Sequence, residues 1–263
     1  MNNIKILVVT HKKYKFPDDK LYVPILVNSN RLDDIGYLKD NDGKDNIADK
    51  NPNYCELTAM YWAWKNFECD IIGINHYRRY LSTESKSVIS KNKTIDDKFN
   101  IILKKKDIIN ILKEHDVIIT TTKLYTKNVY SKYDQQHYIQ DLQNCISIIK
   151  DKYSEMSDSV DKVMKSKEYS ICNMCVMKKS LYDEYCKWLF DVLFTYENSG
   201  KVDMTNYSKL QQRMFGFLSE RLFNIWLDYK KLRCYKANMV SLEHDDIKTI
   251  WYKAWHRLLH IKK

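Results

Sequence analysis

The residues with the most chemical capacity lie where apolar runs stop. Residues 71–80 read IIGINHYRRY, so a run fit for a buried strand passes directly into His76, Tyr77, Arg78 and Arg79. Arginine presents a planar fork of donors that matches phosphate oxygens two at a time, and it keeps its charge when water is removed. Two other apolar runs end similarly: IKILVVT in Thr10, His11 and Lys12, and DVIIT in Thr120 to Lys123. Open parallel sheets bind ligands beyond the carboxyl ends of their strands. If these three ends are neighbours, they form a basic crevice suited to a diphosphate. The competing reading pairs Arg78 and Arg79 with carboxylates such as Asp70 or Glu56.

A second dense stretch, NIADKNPNYCELTAMYWAWKN, sets an Asp- and Asn-rich loop before a helix expected over about 55–66. A loop feeding a helix N-terminus suits an anion or a sugar, although cap and core residues would explain most of the stretch. His137 and Asp141 stand four apart in HYIQDL, a spacing that places two side chains on one helical face as an acid–base pair or a plain ion pair. Cys172 and Cys175 form a lone CxxC; zinc needs two further ligands, so buried thiols are expected instead. The chain holds no GxGxxG, GxxxxGK, GxSxG or HExxH. That argues against dinucleotide dehydrogenases, P-loop kinases, serine hydrolases and the zinc peptidases of that motif.

The elements that must position these residues alternate. Strands are expected at 4–10, 22–28 and 71–76, with the helix at 55–66 between the last two, and strand–helix–strand order implies a parallel α/β unit. Residues 82–100 are polar and patternless and read as a surface loop. A short helix precedes the strand DVIIT. A helix from about Tyr133, a strand over 169–178 and long helices near 179–197 and 204–229 complete an α/β body whose second half is helical. Residues 246–263 read either as a basic amphipathic helix for an anionic lipid surface or as a packing helix closing the domain.

Bulk composition narrows the classes. A chain of 263 residues fits one domain, and 44% hydrophobic residues suffice for a core. Five glycines and three prolines favour helices over a turn-rich β fold. The net charge of +10 points to an anionic partner. Neither an RNP-like strand nor a helix-turn-helix is apparent, so nucleic acid is not the expected partner. Seven cysteines and no signal-like leader suggest a reducing cytoplasm.

Taken together, NIADKNPNYCELTAMYWAWKN and DIIGINHYRRYL resemble the paired signature of a bacterial family from capsule and exopolysaccharide clusters, long known as a domain of unknown function. YDQQHYIQDL, NMCVMKKSLYDEYCKWLFDVLF and QRMFGFLSERLFNIWL follow in the expected order, so the likeness spans nearly the whole chain. The family resembles GT-A glycosyltransferases and includes galactofuranosyltransferases. The resemblance implies a single GT-A-like domain over 1–263: a mostly parallel sheet flanked by helices, with a nucleotide-sugar half over about 1–125 and a helix-rich acceptor half over about 126–263. It implies transfer of a sugar, galactofuranose by analogy, from a UDP-sugar to a saccharide or lipid-linked acceptor near the inner face of the cell membrane. Thr10, His11, Lys12, Asp45, Asn46, Asn51, Glu56, His76, Tyr77, Arg78 and Arg79 would then contact the donor. Glu220 would be the first candidate base, with Asp141 and His137 as the alternative pair. Most GT-A enzymes hold a divalent metal with an Asp-x-Asp where this chain reads Asn75 to Arg79. Arginines replacing the metal, and no cofactor, are the expectation. A non-catalytic scaffold of a polysaccharide assembly complex and a nucleic-acid-binding protein are the alternatives.

Overall fold

The computed structural model describes residues 3–28 and 35–243. Its central strand, β1 (Ile4–Thr10), is buried on both faces. Ile4, Ile6 and Val8 enter one core layer while Leu7 and Val9 enter the other, as period-two alternation requires of a strand covered on both sides. β2 (Tyr22–Leu26) and β4 (Ile71–His76) flank it in parallel, and β3 (Leu38–Lys39) forms the edge beyond β2. The register pairs Val9 with His76, which sets the carboxyl ends of β1 and β4 side by side. At Gly73 a Cβ would lie 2.9 Å from both Ile6 and Val176, so the close approach of the covering side chains requires glycine there.

The sheet is mixed rather than simply parallel. β5 (Arg79–Ser82) and β9 (Cys175–Lys178) run against the other strands, which include β6 (Val117–Thr120) and β10 (Cys234–Ser241). β9 inserts between β4 and β6; β10 joins β6 to β5; β5 returns to β4 through the pair His76–Arg79. These pairings close a circuit of five strands. Two of them, β9 and β10, come from the half expected to be helical. β10 escaped the sequence reading because CYKANMVS has little regular apolar alternation, and only Ala237 and Val240 of it are fully buried.

Helices depart from expectation at their ends. The helix expected at 55–66 is two: α1 (Asn51–Tyr54) and α2 (Leu57–Asn66), separated at Cys55 with φ +53°. The loop expected at 82–100 carries α3 (Lys86–Lys91), capped by Ser85, and α4 (Ile95–Asn100), opened by a Thr94–Asp97 capping box. Those capping signals were present in the sequence and outweigh the missing periodicity. α5 (Lys105–Glu114) precedes β6. Then α6 (Val129–Gln136) stops before His137, and α7 (Ile139–Lys152) begins after Tyr138. α8 (Ser157–Lys165) leads to β8 (Glu168–Tyr169), which pairs with β7 (Lys123–Leu124) in a separate two-stranded sheet. The strand expected over 169–178 is thus broken, with Cys172 at φ +77° and Asn173 at φ +48° in the gap. α9 (Lys179–Glu197) matches expectation, whereas α10 (Met214–Tyr229) starts ten residues later than the helix expected from 204. None of the described helices is long and apolar enough to cross a membrane. The amphipathic segment 246–263 lies outside the described residues.

Candidate active site

A cleft of about 500 Å³ opens at the carboxyl ends of β1 and β4. Beyond β1, the Thr10 hydroxyl bonds the Lys12 carbonyl at 2.6 Å and so tightens the turn that carries His11. His11 meets the Tyr77 ring edge-on at 5.3 Å, and burial lowers its pKa. Beyond β4, the two-residue turn between His76 and Arg79 places four side chains around the opening. Tyr77 is buried beneath it and fixed by its N–H on the Val9 carbonyl at 3.0 Å. His76 bonds the Cys172 carbonyl through Nε2 at 2.7 Å, and desolvation lowers its pKa. Arg78 lies 5.0 Å from the Tyr77 ring and donates to both oxygens of Glu243 at 2.9 and 2.8 Å. Its partner is therefore neither Asp70 nor Glu56.

The helical side closes the cleft. Asn51 anchors the α1–α2 junction by donating to the Cys55 carbonyl at 2.8 Å. Glu56 follows and accepts from Asn173 Nδ2 at 2.8 Å. From the start of α10, Arg213 donates to Cys55 Sγ at 3.1 Å and stands over the Phe217 ring. Burial raises the Cys55 thiol to about 11, so it is a neutral contact rather than a thiolate at neutral pH. Glu220 lines the same cleft with both oxygens engaged: Oε1 accepts from the Cys172 N–H at 2.9 Å and Oε2 from Arg221 at 3.0 Å. Desolvation raises its pKa against the pull of Arg221.

Of the residues singled out from sequence, Thr10, His11, Asn51, Glu56, His76, Tyr77, Arg78, Arg79 and Glu220 line this one cleft. Lys12 stands beside it, its ammonium 5.5 Å from the Tyr77 ring. Asp45 and Asn46 do not line it. Asp45 accepts from Tyr61 at 2.8 Å, and Asn46 caps the Ala48 N–H at 3.2 Å. His137 and Asp141 are not one helical pair, because the chain is extended between α6 and α7. Asp141 is buried under the hydroxyls of Tyr196 (2.6 Å) and Tyr207 (2.9 Å). His137 stacks on Phe217 at 4.2 Å and bonds Gln211, a packing role behind the cleft wall. The third strand end, Thr120 to Thr122, lines a different cavity of about 240 Å³ with Lys86 and Asn238.

Sequence reasoning missed Arg213, Cys55, Cys172, Asn173 and Phe217. Arg213 was hidden inside a helix expected to begin at 204; the Arg-Met-Phe-Gly-Phe start of the true helix was the available signal. Among the described residues no three His, Cys, Asp or Glu side chains converge as a metal-binding group would.

What the cleft can do follows from its charges. Arg78, Arg79 and Arg213 surround an opening whose acidic residues are Glu56 and Glu220. Polyanions are the ligands such a surface favours. The chain belongs to the family described as DUF4422, a domain of unknown function, whose model matches residues 5–231. No curated protein matches the sequence. A solved structure, the apo form of the bifunctional glycosyltransferase WbbM, is 31% identical with a TM-score of 0.84 over 92% of this chain. The likeness covers 46% of that larger protein, so this chain corresponds to somewhat under half of it.

Proposed function

We propose that the protein is a glycosyltransferase that moves a sugar from a UDP-sugar to a saccharide or lipid-linked acceptor of a capsular or other surface polysaccharide. The convergence of Arg78, Arg79 and Arg213 on one cleft at the ends of β1 and β4 carries the reading. Donors aimed at a departing diphosphate stabilise the charge that builds there in the transition state, the role a divalent metal fills in most GT-A enzymes. Metal-independent transfer is accordingly part of the proposal. Thr10, His11 and Lys12 would meet the nucleotide, and Asn51 and His76 the donor sugar or its phosphate. Galactofuranose as that sugar, and work at the cytoplasmic face of the membrane, rest on the family resemblance alone.

Calorimetric titration of UDP in EDTA, with the native chain and an Arg78→Ala, Arg79→Ala variant, tests this. Binding near micromolar Kd that is lost in the variant is the expected result. Binding only when manganese is added would overturn the arginine mechanism and keep the transferase. No binding in either condition would favour the non-catalytic scaffold.

A further inference from the structure

We infer that Glu56, rather than Glu220, is the general base that takes the proton from the acceptor hydroxyl; this rests on the glycosyltransferase reading. The two carboxylates of the cleft are held in opposite ways. Glu220 is committed at each oxygen, to a backbone N–H and to a guanidinium that is itself 4% exposed. A carboxylate so engaged braces the 172 turn and neutralises a buried arginine. An acceptor hydroxyl at Glu220 would have to compete with a backbone N–H at one oxygen and a guanidinium at the other.

Glu56 is held at one oxygen. Asn173 donates to Oε1 at 2.8 Å and also to the Gly216 carbonyl at 3.2 Å, which ties the carboxylate to the backbone of α10. No hydrogen bond reaches Oε2 from the described residues. A Cβ placed on Gly216 would make ordinary contact with Oε2 at 3.8 Å and with the Cys55 Cβ at 3.6 Å, so this carboxylate oxygen lies beside the first turn of α10. Glu56 lines the cleft that also holds the three arginines, and Oε2 is its oxygen without a hydrogen bond from the described residues.

Backbone strain points to the same place. Five non-glycine residues among those described have positive φ; of these, Cys55 and Cys172 line this cleft and Asn173 bonds the Glu56 carboxylate. Cys55, at φ +53° and ψ −126°, is in a region that side chains other than hydrogen disfavour. It delivers Glu56 at the head of α2, while the 172–173 turn delivers the amide that orients it. Such strain persists where surrounding structure over-determines it, and sites of chemistry are where it concentrates.

The step balances without a further reactant. The acceptor oxygen forms a bond to the anomeric carbon as its proton passes to Glu56 Oε2. The bond from that carbon to the diphosphate breaks, and its electron pair leaves on phosphate oxygen facing the arginines. Attack from the side opposite the leaving group inverts the anomeric centre.

Glu56→Gln keeps the size and the Asn173 contact while removing the base. UDP binding by calorimetry and UDP release from UDP-galactose, UDP-galactofuranose and UDP-glucose, with alkyl galactosides as acceptors, are measured for native and variant chains. The expected result is UDP affinity within about threefold of native, turnover lower by about 100- to 10,000-fold, and an inverted product by proton NMR. Asn173→Gly, which suits the positive φ, should lower kcat with the donor KM unchanged, the split expected of a residue that orients the base. Turnover of Glu56→Gln within tenfold of native, or a product that retains configuration, overturns the assignment and leaves the transferase standing. A native chain that neither binds UDP nor releases it from any of these donors overturns both.

Discussion

Arg78, which the proposed function sets against the donor diphosphate, is held by a carboxylate that such a ligand could replace. Its guanidinium bridges both oxygens of Glu243, yet the two side chains are 39% and 48% exposed. An ion pair this wet contributes between zero and about 1 kcal/mol, because water and salt screen it. A diphosphate offers the same two-oxygen geometry with more charge, so it can displace the carboxylate at small cost. Glu243→Gln should raise UDP affinity two- to fivefold at low salt while moving the melting temperature by no more than a degree or two. Calorimetry and a thermal melt check this together; an unchanged affinity would show that Glu243 does not compete for Arg78. The same comparison explains which residues could be read from sequence. Arg78 and Arg79 follow an apolar run in the chain itself, so strand end and charge were visible together. Asn173 has no such local signal, since it depends on a broken strand, and for Arg213 the only signal is where a helix begins.

At the scale of elements, the breaks matter more than the helices and strands. α6 gives way to α7 through an extended His137 and Tyr138, and this turn is braced against residues 206–211. Tyr138 stacks on Tyr207 at 4.0 Å, Gln211 donates to the Gln136 carbonyl at 2.7 Å, and His137 donates to Gln211 at 3.0 Å. Burial lowers the His137 pKa to about 4. Since the unfolded chain binds this proton near pH 6.5 and the folded one only near 4, the contribution is intact above pH 6.5 and is lost as pH falls toward 4. The loss over that window is about 3 kcal/mol at most, one pKa unit corresponding to about 1.4 kcal/mol. His137→Gln should flatten the fall in melting temperature between pH 7 and 4.5 relative to the native chain. Parallel curves would mean that other groups carry the acid sensitivity. Periodicity made α7, α9 and most of α2 legible. It could not show the breaks at Cys55, His137 and Cys172, because none has the glycine or proline that normally marks one. Tertiary contacts impose them.

For the whole molecule, the cleft is the meeting point of segments far apart in the chain: the ends of β1 and β4, the α1–α2 junction, the 172–173 turn and the head of α10. Only a sheet that fixes all of them can hold it, and β10 belongs to that sheet. β10 lies between β5 and β6 and closes the five-strand circuit, burying Ala237 and Val240. Its register with β5 pairs Ser241 with Arg79, and the Leu242 N–H bonds the Arg78 carbonyl at 2.9 Å, so β10 also backs the arginine turn. The family match stops at residue 231, before this strand. Ending the chain at 231 would leave β5 and β6 with unpaired edges, which cost solubility as well as stability. Such a truncation should aggregate or melt without cooperativity and should not bind UDP, whereas a chain ending at 243 should keep a cooperative melt. Circular dichroism and size-exclusion chromatography of the two chains decide the matter. A soluble, cooperatively folded 1–231 that bound UDP like the native chain would show that β10 is dispensable and that the arginine turn is held by β4 and β9 alone.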